Sequence, residues 1–177
     1  MHHHRLLLSL SLLFPVAALA AAPVRSVEAF DLDRYAGQWH EIAHLPTAFQ
    51  KKCTADVTAR YSLRADGRIS VLNRCRTARG EIEAEGVARR VQGPPGRLQV
   101  RFAPDWLAWL PWTWADYWVI ALDPGYQWAL IGEPGHEYLW ILSRTPTMDA
   151  ALFESLKQRA TDMGYDLAPL QVMAPIE

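Results

Sequence analysis

The sequence predicts an all-β fold: an eight-stranded antiparallel up-and-down β-barrel with one C-terminal α-helix packed on the outside. Three observations predict it. Apolar and polar residues alternate with period two through a series of short segments, and turn residues such as Asp66-Gly67, Gly93-Pro94-Pro95-Gly96, Pro124-Gly125 and Glu133-Pro134-Gly135 separate them. After Arg144 the apolar period changes to that of a helix. Finally, 177 residues with 50% hydrophobic content and eight Trp suffice for one closed core, and closure removes exposed strand edges.

Residues 1–20 read as a signal peptide, with a basic head to Arg5, an apolar run from Leu6 to Ala20 and the A-x-A pattern Ala18-Leu19-Ala20. The run is too short to span a bilayer comfortably. Residues 21–177 then form the mature domain, expected to be periplasmic or secreted. No Cys stands at the cleavage position to carry a lipid, so any association with an outer membrane would be peripheral. A formal charge of -1 provides no global field for nucleic acid, and none is expected as a partner. His2 to His4 fall in the discarded segment, and His40, His44 and His136 form no metal pattern, so neither metal nor cofactor is expected.

The first strand begins near Gly37, where a glycine lets two backbones approach closely. Alternation from Trp39 places Trp39, Glu41 and Ala43 on one face and His40, Ile42 and His44 on the other. Glu41 is expected to be a buried structural hydrogen-bond acceptor. A connection from Pro46 to Lys52 leads to the second strand, Val57 to Leu63. At Asp66-Gly67 a two-residue turn would mix faces. A three-residue turn with Gly67 left-handed instead joins Val57, Ala59, Tyr61 and Leu63 to Ile69, Val71, Asn73 and Cys75 on one apolar face. That register sets Cys75 opposite Val57. An even count of two cysteines, Cys53 and Cys75, in an exported chain favours a disulfide, stabilising by about 3 kcal/mol. It requires the connection to fold back. The alternative is a reactive thiol inside the barrel.

The fourth strand, Glu81 to Val91, turns Ile82, Ala84, Gly86 and Ala88 inward, small residues that leave room in the middle. Leu98 to Phe102 is the fifth. From Pro104 to Trp114 the chain holds four Trp in nine residues, Trp106, Trp109, Trp112 and Trp114, among prolines that exclude them from a sheet interior. Strands resume at Asp116–Asp123, Tyr126–Ile131 and Glu137–Arg144. Met148, Leu152, Leu156, Ala160 and Met163 then recur at helical spacing, with Thr147 as N-cap and Gly164 as stop. A short last strand is expected around Leu170 to Met173.

Three separated segments resemble the lipocalin signatures in order: Gly37-x-Trp39, Asp116-Tyr117, and Arg144 after Trp140-Ile141-Leu142-Ser143. Over essentially the whole mature chain the sequence is similar to the bacterial lipocalin subgroup, to apolipoprotein D and to the plant temperature-induced lipocalins. It departs from them at His40, where Tyr is usual, and in its longer, Trp-rich loop. The resemblance implies that Trp39 plugs the closed base under Arg144, a structural role. It also implies an inward Tyr117 with Val119 and Ala121, joined by Tyr61, Val71 and Asn73 around a ligand cavity. The loops after odd-numbered strands would meet at the open end, so the four Trp would rim the mouth beside Lys51 and Lys52. There they would either dip into a membrane interface or fold down as a lid. The expected function is binding and transport or storage of a fatty acid or lysophospholipid, in membrane maintenance or stress, by a monomer or weak homodimer. The alternatives are a lipocalin-type isomerase or redox enzyme using Cys53 or Cys75, and a carrier of a haem-like or retinoid-like compound.

Overall fold

The computed structural model describes residues 21–177, so the expected signal peptide lies outside the described residues. A short helix α1, Leu32–Tyr35, precedes strands β1 (Gly37–His44), β2 (Ala55–Leu63), β3 (Ile69–Thr77), β4 (Gly80–Arg90), β5 (Arg97–Arg101), β6 (Ala115–Leu122), β7 (Trp128–Gly132) and β8 (Leu139–Ser143). Helix α2, Ala150–Asp162, and strand β9, Gln171–Val172, complete the chain. Each strand from β1 to β8 pairs antiparallel with its neighbour in sequence, and β8 returns to β1, which closes the barrel. Strand β9 adds to the end of β1.

The β2–β3 turn has the predicted register, Tyr61 opposite Val71 and Ala59 opposite Asn73, with Gly67 at φ 78°. Regular pairing continues only as far as Thr58 with Arg74, because Asp56 adopts φ 51° and shifts the register before Ala55 meets Arg76. Cys75 is therefore not part of the plain ladder with Val57. The preceding connection folds back, with the Thr54 amide donating to the Arg76 carbonyl, and Cys53 forms a disulfide with Cys75.

Two further irregularities sit beneath α2. In β1 the register against β8 shifts between Glu41 and Ala43, and in β6 the register against β7 shifts between Val119 and Ala121. Each bulge turns two successive residues to the same side. Ile42 with Ala43, and Ile120 with Ala121, all pack outside the barrel with Leu130, Leu139, Ile141 and the α2 residues Phe153, Leu156 and Ala160. This corrects three expectations. Ala121 faces the helix rather than the cavity, Ala43 leaves the face of Trp39 and Glu41 for the outside, and His44 returns to the inner side, where it is buried beside Glu41.

The cap of α2 also differs from expectation. Asp149, not Thr147, is the N-cap, and its carboxylate accepts from the Leu152 amide at 2.8 Å. Either residue type serves chemically. Met148 lies ahead of the helix, bridged to Ile176, so the segment from Thr147 runs as extended chain before the first turn. Tyr126, expected to begin a strand, sits at φ 60° in the turn before β7, and Gly164 at φ 94° follows the end of α2 as expected.

Candidate functional site

The closed end is built on Trp39. It is fully buried, its indole N–H donates to the Tyr35 carbonyl at 2.8 Å, and the Arg144 guanidinium lies 3.8 Å from its ring centroid. Arg144 directs its N–H groups at the carbonyls of Arg34, Tyr35, Ala36, Gln38 and Tyr126. These include carbonyls at the end of α1, which has no hydrogen-bonding continuation of its own. At Gly37, with φ 98°, a β-carbon would stand 3.3 Å from the Arg144 guanidinium, so the glycine supplies both the left-handed backbone and the clearance.

Above this plug lies a cavity of about 300 Å³ with an almost wholly apolar lining. Tyr61, Val71, Asn73 and Tyr117 contribute to its wall as expected, together with Ala59, Ala84, Ala88, Leu98, Val100 and Leu142. Val119 is fully buried but is not on the wall; it belongs to the cluster that seats Trp39. Cys53 and Cys75 are part of the wall, as a disulfide, and among the described residues neither thiol is free. The isomerase and redox readings through Cys53 or Cys75 therefore have no thiolate to act through in this state.

The floor is polar at one point. Tyr117 Oη lies 2.7 Å from Tyr35 Oη and 2.8 Å from Tyr61 Oη. Burial pushes the pKa of all three hydroxyls up, so all three keep their protons at neutral pH. Along the wall, Glu41 is buried and accepts twice from the Gln50 amide, at 2.7 and 3.0 Å, which fits its expected role as a structural acceptor. His44 Nδ1 lies 2.6 Å from the same carboxylate. Gln50 in turn accepts from the Trp140 indole and the Thr47 hydroxyl, fastening the β1–β2 connection across the barrel.

Sequence reasoning missed most of the mouth. Phe49, Phe102, Tyr138 and Trp140 line it together with Ile82, which alternation had turned inward, and Phe49 lies with its ring centroid 6.4 Å from that of Trp140. Alternation in β8 carried the signal for Trp140, which shares the inward parity of Leu142. Phe49 in an irregular connection had none. The room expected at Gly86 is taken by Phe102: a β-carbon there would lie 2.8 Å from the Phe102 ring and 2.9 Å from the Arg101 carbonyl. Gly86→Ala is expected to destabilise the fold by about 1–3 kcal/mol by overpacking, measured by urea denaturation.

The four Trp of the β5–β6 loop are not brought to the cavity wall. Arg101 points outward and is buried beneath the loop, bonded to the carbonyls of Ala103 and Pro104 and to Asp105. Trp114 lies against the guanidinium groups of Arg89 and Arg101, at 3.9 and 5.1 Å, and donates to the Ala108 carbonyl. The loop is thereby held on the outer wall. Trp106, Trp109 and Trp112 remain 72%, 78% and 78% exposed.

Residues 30–175 match the family model described as a lipocalin-like domain. The chain belongs to the lipocalin family. This lipocalin is 42% identical over 147 residues to temperature-induced lipocalin-1 of Arabidopsis thaliana, covering 81% of this chain and 78% of the relative. It is 36% identical over 160 residues to the outer membrane lipoprotein Blc of Escherichia coli K12, covering 86% and 85%. Apolipoprotein D of Macaca fascicularis is 30% identical over 174 residues, covering 90% and 83%. Among solved structures, insecticyanin from Manduca sexta superposes with a TM-score of 0.64 at 19% identity, covering 89% and 92%, a likeness in fold alone.

Proposed function

We propose that this lipocalin binds one single-chain lipid, a fatty acid or a lysophospholipid, in its barrel and carries or stores it in the service of membrane maintenance. The observation that carries this reading is the apolar cavity of about 300 Å³ that opens at an aromatic mouth. Each ligand methylene buried there contributes about 0.8 kcal/mol before the cost of association. The volume lies at the low end of small-ligand pockets, which favours one acyl chain over two. Kinship with an outer membrane lipoprotein supports a site of action beside a membrane, on the periplasmic or extracellular side. Native mass spectrometry of protein from an exporting host, followed by organic extraction, tests the reading. A stoichiometric fatty acid or lysophospholipid is expected. A barrel that is empty and that added lipids fail to fill would overturn it.

The exposed indoles of Trp106, Trp109 and Trp112 support peripheral docking on a bilayer, since Trp is favoured at the membrane interface and three on one loop form an apolar patch. The expected result is co-flotation with vesicles of phosphatidylethanolamine and phosphatidylglycerol, reduced severalfold by Trp109→Ser with Trp112→Ser. Equal flotation of the variant would exclude the loop as the contact.

A further inference from the structure

The three tyrosine hydroxyls at the cavity floor hold one more proton than their mutual contacts use. Each hydroxyl donates once, and the chain Tyr35, Tyr117, Tyr61 has two contacts, at 2.7 and 2.8 Å. One O–H therefore has to find a partner elsewhere. If Tyr61 donates to Tyr117 and Tyr117 to Tyr35, the spare O–H belongs to Tyr35. That residue is fully buried and packed among the rings of Phe30, Trp39 and Tyr61, where an unpaired donor is costly. In every other arrangement the spare O–H belongs to Tyr61 or Tyr117, and both line the cavity.

We propose that this floor is a recognition subsite for an uncharged oxygen acceptor, such as an alcohol, aldehyde, ester or protonated carboxylic acid, so that of the two lipid classes above it selects a fatty acid, taken up protonated and carboxyl end first, over a lysophospholipid. The subsite rests on the ligand-binding reading above. An ionised head group does not suit the floor, because one donor cannot replace the hydration of a carboxylate and, among the described residues, no unpaired Lys or Arg lines the cavity. Arg74, the one Lys or Arg among the described residues lining the cavity, is half exposed and paired with Glu83 at 2.6 Å, and Arg144 is stacked beneath Trp39 with its N–H groups on backbone carbonyls. The carboxylates of the lining, Glu41, Glu83 and Asp116, oppose a further negative charge.

Displacement of the neutral probe N-phenyl-1-naphthylamine from the full chain by dodecan-1-ol and by dodecane tests the subsite. The wild-type protein is expected to prefer the alcohol. Tyr61→Phe combined with Tyr117→Phe, which keeps both rings, is expected to weaken the alcohol roughly five- to tenfold and leave dodecane unchanged. Tyr35→Phe leaves Tyr61 and Tyr117 with two protons and one contact, so one O–H stays spare and the preference is expected to persist; its loss would overturn the subsite. Equal losses for alcohol and alkane, or none for either, would overturn the subsite while leaving the carrier reading intact. Failure of the probe and of both ligands to bind the wild-type chain would overturn the two together.

Discussion

Trp39→Ala is expected to lower the stability of the barrel by about 3–5 kcal/mol, read as a fall in the urea midpoint with little change in slope. The residue is fully buried, and it joins α1 to the barrel through Tyr35, so its loss opens a cavity at the closed end. Arg144 shares this structure. Removing the guanidinium leaves carbonyls of Arg34, Ala36, Gln38 and Tyr126 without their donor, so Arg144→Ala is expected to destabilise by about 2–3 kcal/mol. Arg144→Lys should recover only part of this, because a point charge cannot replace a planar fork. The two sites touch at 3.8 Å, so a double-mutant cycle should show coupling of about 1 kcal/mol. Additive effects would show that the stacking contributes nothing beyond packing.

Cys53→Ser with Cys75→Ser is expected to cost about 3 kcal/mol, from the chain entropy returned to the unfolded state when a loop spanning 22 positions is opened. There is a local consequence as well. The disulfide, together with the Gln50 hydrogen bonds to Glu41 and Trp140, ties down the connection that carries Phe49 over the mouth. Amides between residues 48 and 54 should therefore exchange faster in the variant, while those of β6 and β7 keep their order of protection. An unchanged urea midpoint would mean that the bond constrains nothing the rest of the fold does not already hold.

Most of the barrel was legible because most of it obeys alternation. The β2–β3 register followed from keeping Tyr61 and Val71 on one face, and the base followed from the resemblance of Gly37, Trp39 and Arg144 to the lipocalin signatures. Alternation failed at bulges. Nothing in the bare order of Glu41, Ile42, Ala43 or of Val119, Ile120, Ala121 announces that two neighbours will face one way, because the cause is tertiary: α2 needs a broad apolar bed. Ala43, His44 and Ala121 were misplaced for that reason alone. The Trp-rich loop was conspicuous in composition, but its direction was set by Arg101 and by the stack of Trp114 on Arg89, contacts between positions that sequence spacing does not connect. The cavity wall was half legible: inward strand residues such as Tyr61, Val71, Asn73 and Tyr117 could be named, whereas Phe49 and Gln50 come from a connection with no period to read.

Phe102 belongs at once to the inner cavity and to a groove on the outer wall, which it shares with Arg60, Ser62 and Pro104. At that height the barrel is one aromatic ring thick. The protein is thus a cup with a stoppered side window, and the stopper is seated by the missing side chain of Gly86. Phe102→Ala would remove the ring that stands between inside and outside.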